Sequence, residues 1–298
     1  MVVRWILGLG LLLQGMGQAQ PLTIPDLWKR TYGEGGFRIE KVLEEKSRFS
    51  RVQFSYLSDH LRVHGFANVP KGRGSFPVVV VLHGYVEPSR YRLLAYTTPY
   101  ADFLAEEGYL VLHPNYRGHP PSEGKPATGL RHAYAVDVLN LLAEVRKGVL
   151  PQADGRRIGL FGHSMGGGIA QVVALVDPRL KGVVLYGSMS GDERRNLERI
   201  RYWSGGTRGQ ELLTLPPKTL AEASAWTYLE RVAVPFSVHH GIRDAQVPPE
   251  WSWELCRRLK SLGKPVECFS YPAGHLFRGP VDQAFRQRVL AFFGRVSR

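Results

Sequence analysis

Gly162-His163-Ser164-Met165-Gly166 sets a serine between two glycines, after the apolar run Arg157–Phe161 and before the helical pattern Gly166–Leu175. A serine hydroxyl is a weak nucleophile at neutral pH and attacks a carbonyl only when an adjacent base takes its proton. A G-x-S-x-G run at a strand-to-helix turn serves that end, because it holds the serine in a strained backbone conformation with its hydroxyl projecting above the sheet. The flanking glycines remove side chains that would collide in the turn. A base then has to stand near, and the base needs an orienting acid. His275, in Tyr271-Pro272-Ala273-Gly274-His275, is the candidate base, on a loop after a strand-like run. Asp244, in His240-Gly241-Ile242-Arg243-Asp244, is the candidate acid, with Asp192 competing because it follows the run Gly182–Tyr186. Together these types point to nucleophilic acyl transfer: Ser164 attacks, His275 takes the proton, and Asp244 holds the imidazole tautomer and stabilises the imidazolium.

Acyl transfer also requires two donors for the developing oxyanion. The backbone N–H of Met165, just after the serine, is one candidate. The other is the N–H of Tyr85, in His83-Gly84-Tyr85, which directly follows the β-branched run Val78–Leu82. His83 is read as structural and His163 as packing beside the turn. His239 and His240 are not read as a metal pair, since no carboxylate or thiol stands at ligand spacing. No metal and no cofactor are expected.

The elements that must position these groups alternate along the chain. Arg51–Ser58 and Leu61–Val69 flank Ser58-Asp59-His60 as an antiparallel hairpin. Val78–Leu82 reads as a strand buried on both faces, followed by a helix from Thr98 to Glu107 and a strand Tyr109–His113. Ala135, Val138, Leu139, Leu142 and Val145 recur at helical spacing. Strands follow at Arg157–Phe161, Gly182–Tyr186, Pro235–His239 and Val266–Tyr271. Helices follow at Gly166–Leu175, around Trp251–Leu262 and at Pro280–Phe293. Such alternation predicts an α/β fold, a mostly parallel central sheet with helices on both faces. Residues 188–231 break the rhythm as a polar, helical, strandless stretch and are expected to form a cap over the carboxyl ends of the strands. Its Tyr202, Trp203, Trp226 and Tyr228 are candidate walls for an apolar or aromatic substrate group. Its Arg194, Arg195, Arg199 and Arg201 are read as a solvated helix face, and Arg117 as a structural ion-pair partner.

Composition bounds the rest. The chain has 298 residues, 44% hydrophobic and 22% charged, which excludes a disordered or disulfide-dense chain. Met1–Gln20 carries Arg4, an apolar run Trp5–Leu13, and Gly17 and Ala19 at the −3 and −1 positions of a cleavage site. That is a secretory signal peptide over residues 1–19, leaving residues 20–298 as one domain. The apolar run is too short for a membrane anchor, which needs about 20 residues. Export makes a disulfide chemically permissible. Cys256 falls in a helical pattern and Cys268 in the following strand, and two buried free thiols are the leading expectation, with a bridge as the alternative. Lys and Arg total 39 against 26 Asp and Glu, a net charge of +13. No nucleic-acid-binding motif accompanies that excess, so no nucleic-acid partner is expected and the charge is read as surface character.

Leu61–Phe66 with Val69-Pro70, Leu82-His83-Gly84, Asn115-Tyr116-Arg117-Gly118, Gly162–Gly167, Asp244 with Val247-Pro248, and Gly274-His275 resemble an α/β-hydrolase. Within that superfamily they resemble the catalytic domain of the prolyl oligopeptidase (S9) family and related dienelactone-hydrolase and esterase-like proteins. The serine–acid–histidine order matches that superfamily. The resemblance implies an exported serine hydrolase acting on a small ester or short-peptide substrate through Ser164, His275 and Asp244. Two departures favour an esterase-like alternative without peptidase activity. The chain before residue 50 is too short for the propeller of such peptidases, and His119-Pro120-Pro121-Ser122-Glu123-Gly124 is closer to esterase-like hydrolases. A non-catalytic envelope- or polyanion-binding protein on the same fold is the distant alternative.

Overall fold

The computed structural model describes residues 21–94, 96–127 and 130–297. The expected signal peptide, residues 1–19, lies outside the described residues. The chain opens with the short helix α1 (Ile24–Trp28), then runs through strands β1 (Arg38–Glu45), β2 (Phe49–Ser58), β3 (Leu61–Pro70) and β4 (Phe76–Leu82). Helix α2 (Thr98–Glu106), β5 (Leu110–Pro114), α3 (His132–Arg146), β6 (Ala153–His163), α4 (Met165–Val176) and β7 (Gly182–Tyr186) follow. After β7 come α5 (Glu193–Trp203), α6 (Gln210–Leu213), α7 (Pro217–Ala223) and a 3₁₀ segment Ala225–Arg231. The chain then closes through β8 (Phe236–Gly241), α8 (Pro249–Ser261), β9 (Val266–Tyr271) and α9 (Gly279–Val296).

The strands form one sheet in the order β1-β2-β3-β5-β4-β6-β7-β8-β9. Pairings from β1 to β5 are antiparallel, and those from β5 through β4 to β9 are parallel. This is the mostly parallel α/β sheet anticipated above. The β2–β3 hairpin turns at Asp59 and His60, both at positive φ (50° and 62°), with Ser58 opposite Leu61. A two-residue loop with both φ values positive matches the right-handed twist of the strands it joins.

Period-two alternation explains why β4 reads as continuous apolar text. Val78, Val80 and Leu82 point to the face covered by α1, α3, α4 and α8, while Val79 and Val81 point to the face covered by α2 and α9. All five are fully buried. Two elements escaped the sequence reading, α1 and β1. β1 is an edge strand whose residues are mostly exposed, so Arg-Ile-Glu-Lys-Val-Leu-Glu-Glu carries no apolar alternation to betray it.

Residues 188–231 contain helices and no strand, and lie between β7 and β8. The expectation of two free thiols is corrected: Cys256 of α8 and Cys268 of β9 are joined by a disulfide. Helix and sheet layers often stand too far apart for a bridge, but α8 packs directly on β9 and brings the two Cα atoms to 6.4 Å, within bridging range. No helix among the described residues is long and apolar enough to cross a membrane.

Candidate active site

Ser164 occupies the single residue between β6 and α4, with φ 54° and ψ −118°. The backbone has little room there. A Cβ at Gly162 would lie 2.5 Å from the carbonyl oxygen of Gly166, and one at Gly166 would lie 2.1 Å from that of Leu82 on the neighbouring strand. Glycine at both positions is therefore a steric requirement of the turn, as the motif implied. The Ser164 N–H donates to Tyr186 O (3.0 Å), and Ser164 O accepts from Gly167 (3.0 Å) and Met189 (3.0 Å), which fixes the strained residue from three directions.

Asp244 follows β8 and is 7% exposed. Its Oδ1 accepts the backbone N–H groups of Gln246 (2.8 Å) and Val247 (2.9 Å). Its Oδ2 accepts from His275 Nδ1 (2.7 Å) and His240 Nε2 (3.1 Å). Burial works to raise the pKa of this carboxyl, but the hydrogen bonds from His240 and His275, the charge interaction with His275 and the Val247 amide outweigh it. Asp244 is held well below the usual carboxylate range and is ionised at neutral pH.

With Nδ1–H committed to Asp244, the Nε2 of His275 is left as the basic nitrogen, and His275 and Ser164 line one cavity. No hydrogen bond joins their side chains. In substrate-free sites of this kind that contact is often looser than in the reacting complex. Gly187, just past β7, lets the pair sit so close to the sheet, because a Cβ there would be 3.2 Å from His275 Nδ1 and 3.5 Å from Asp244 Oδ2. The competing acid Asp192 is elsewhere: it caps α5, accepting from the N–H groups of Arg194 (2.9 Å) and Arg195 (3.4 Å).

The two proposed oxyanion donors also line the cavity. Gly84 N–H is consumed by the Tyr96 hydroxyl (2.9 Å), whereas Tyr85 N–H has no acceptor among the described residues. Met165 is the first residue of α4, where a helix N–H has no intrahelical acceptor. His83 is buried with its ring against Tyr91, Tyr116 and His113, as a structural residue would be. His163 accepts from the Tyr96 hydroxyl at Nδ1 (2.6 Å) and donates from Nε2 to the His275 carbonyl (3.4 Å). Burial, reinforced by the neighbouring His275, pushes its pKa down to about 3, so it is neutral and suited to these two roles.

The cavity encloses about 540 Å³, a volume typical of small-molecule sites. Of the four aromatic residues expected as walls, Trp203 lines it, with Ile200, Met189 and Tyr134. Tyr202 is 74% exposed and is not part of the lining. Trp226 and Tyr228 are also elsewhere: Trp226 packs on the core beneath α4 and carries Arg195 over its ring, and Tyr228 meets Trp28 edge-on with centroids 4.9 Å apart. Helical periodicity could not show which face of the segment turns inward, and these rings serve its anchoring. Arg199 donates to Gln246 O (2.9 Å) and Ala245 O (2.5 Å), tying α5 to the turn that holds Asp244. Arg117 pairs with Asp59 (2.9 Å) and with the fully buried Asp137 (2.7 Å), the structural role expected for it.

Sequence reasoning missed His240, Tyr96 and Arg208. His240 was noted only as part of a histidine pair. Its place four residues before Asp244, across a tight turn, is the one signal that could have linked them. Tyr96 and Arg208 stand in loops with no motif, so nothing marked them.

A family profile described as Serine aminopeptidase, S33, matches residues 75–220. A Bacillus subtilis (strain 168) protein named as an uncharacterized peptidase, YtmA, is 28% identical over 234 residues, covering 72% of this chain and 82% of its own. An acetyl xylan esterase from Paenibacillus sp. R4 superposes with a TM-score of 0.69 at 20% identity, covering 92% of both chains. The acylaminoacyl peptidase of Pyrococcus horikoshii gives a TM-score of 0.68 at 22% identity over 84% of this chain, which spans 42% of that longer one.

Proposed function

We propose that this chain is a serine hydrolase of the α/β-hydrolase superfamily, a reading supported by the family profile, the Bacillus subtilis relative and the likeness in fold, and that it cleaves a carboxylic ester or peptide-like amide of a small substrate through Ser164, His275 and Asp244. The observation that carries the reading is the 2.7 Å bond between His275 Nδ1 and an ionised Asp244, beside a serine at φ 54° in the same cavity. In the first step Ser164 Oγ bonds to the substrate carbonyl carbon while its proton passes to His275 Nε2. The carbonyl oxygen becomes an oxyanion held by the N–H groups of Tyr85 and Met165. As the tetrahedral adduct collapses, His275 returns the proton to the departing alkoxide or amine, leaving an acyl-serine. Water then attacks with His275 again as base, and the acid and free serine are released. Asp244 stays ionised throughout and stabilises the imidazolium at each stage.

The same machinery serves esters and amides. A peptidase reading is supported by the name of the Bacillus subtilis relative. An esterase reading is supported by likeness in fold to the Paenibacillus acetyl xylan esterase over almost the whole chain. We further propose that residues 188–231 act as a cap over the cavity, supported by Ile200, Trp203 and Arg208 in its wall. Export is proposed from Met1–Gln20, and a disulfide fits an oxidising compartment.

A fluorophosphonate probe should label Ser164 in the wild type and fail to label Ser164→Ala, whose ester turnover should drop at least about a thousandfold. Labelling that survives the substitution would refute the serine assignment. Turnover of p-nitrophenyl acyl esters against peptidyl anilides on the same preparation separates esterase from peptidase.

A further inference from the structure

The lining of the cavity is lopsided in charge. Its charged members are Arg131 and Arg208, and no Asp or Glu side chain faces it among the described residues. The nearby carboxylates are committed elsewhere. Asp244 is buried under four hydrogen bonds, and Glu193 is 4% exposed and takes a 2.5 Å bond from Arg131. Glu87, outside the cavity, accepts from the Tyr85 hydroxyl. A substrate with a free ammonium group would therefore enter without a counter-charge, and losing water around an unpaired charge is costly.

Arg208 differs from Arg195 and Arg199 of the same segment, 188–231. Arg195 pairs with Glu254, and Arg199 spends its N–H groups on two backbone carbonyls. Arg208 makes no ion pair with any described residue. Its Nη1 donates to the neutral Tyr85 hydroxyl (2.7 Å), and its guanidinium lies over the Tyr85 ring, 4.6 Å from the centroid. Stacking holds the planar group at the cavity wall while leaving N–H donors open, the presentation that suits bidentate recognition of a carboxylate. Tyr85 also carries the amide proposed for the oxyanion. The guanidinium thus stands one tyrosine side chain from the reacting carbonyl, with Trp203, Ile200 and Met189 lining the space beside it.

We propose that Arg208 is a specificity-determining residue that receives a carboxylate on the substrate, so that the enzyme prefers esters or amides bearing an anionic group at the far end of a short apolar chain. The proposal rests on the serine-hydrolase reading above and names the substrate class of that same site. An uncharged substrate gains nothing at Arg208, and one with a free amine is disfavoured by it.

Three probes of similar length test this: p-nitrophenyl hydrogen adipate, p-nitrophenyl methyl adipate and p-nitrophenyl ε-aminocaproate. The wild type should turn over the anionic ester with kcat/KM about tenfold above the neutral one, ~1.4 kcal/mol. The difference should lie mainly in KM, with the cationic ester poorest. In Arg208→Gln the anionic-to-neutral ratio should fall about tenfold, and Arg208→Lys should keep part of it. Added salt should lower the wild-type ratio, because a half-exposed charge pair is screened. A wild-type ratio near one would overturn the proposal. So would an unchanged ratio in Arg208→Gln, including the case where both esters slow together because Arg208 only props Tyr85. Fluorophosphonate labelling of the same preparations separates the two levels. Labelled enzyme blind to charge defeats this proposal alone, whereas protein that does not label defeats the hydrolase reading and this proposal with it.

Discussion

Asp244 receives four hydrogen bonds, two from backbone amides and two from imidazoles, and the second imidazole is the less expected. His240 is 1% exposed, accepts from the Ser252 hydroxyl at Nδ1 (2.6 Å) and donates from Nε2 to Asp244. That donor fixes the carboxylate plane and, through it, the direction in which His275 presents its basic nitrogen. A hydrogen bond to a charged group is worth about 1.5–3 kcal/mol. His240→Ala should therefore lower kcat/KM on a p-nitrophenyl ester roughly tenfold to a hundredfold, and His240→Gln, which keeps an N–H donor, should lose less. Steady-state kinetics beside a melting curve decide it. A lower Tm with unchanged kcat/KM would mean that His240 only fills space.

The elements behind the site are coupled in pairs. α8 begins five residues after Asp244, and β9 ends four residues before His275. The Cys256–Cys268 bridge joins these two elements across a sequence separation of 12. Cross-linking a loop of this size removes denatured-state entropy worth about 3 kcal/mol. Reduction, or Cys256→Ser, should lower the Tm by several degrees, at about 2–4 °C per kcal/mol for a domain of this order of size. Activity near the lowered transition should fall first, because the bridge stabilises the segments that carry both the acid and the base. An identical Tm with both thiols demonstrably reduced would remove the bridge from any such role.

At the scale of the whole molecule, several histidines are buried without charge. Burial pushes the pKa of His83 down to about 4 and those of His163 and His239 down to about 3. In the unfolded chain each would titrate near about 6.5. Between those values the unfolded state binds more protons than the folded one, so stability falls as pH falls. The contribution is whole above pH about 6.5 and is lost progressively toward pH 4 and below, at up to about 1.4 kcal/mol per pH unit for each histidine. Asp244, also depressed, adds a further loss once the pH passes below the unfolded carboxylate value of about 3.9. Melting temperatures recorded from pH 7.5 to 4 should hold down to about pH 6.5 and decline from there to pH 4. A flat profile down to pH 4 would show that these rings are hydrated or already charged in the folded protein.

The sequence by itself determined the alternation of elements, because burial on two faces writes continuous apolar runs such as Val78–Leu82, and strained turns write glycines such as Gly162 and Gly166. It also supplied the serine, acid and histidine as candidates, since each stands just past a strand's carboxyl end. It could not choose faces or partners between distant segments. Edge strand β1 was silent because exposed positions carry no pattern, and Trp226 and Tyr228 pack, partly buried, against the core although their spacing suited a pocket. The Cys256–Cys268 bridge depended on how closely α8 settles on β9, and Arg208 met Tyr85 across 123 positions of chain. Local periodicity and turn chemistry are properties of neighbours in sequence, whereas pairing, charge balance and the shape of a cavity arise only when remote segments are packed together.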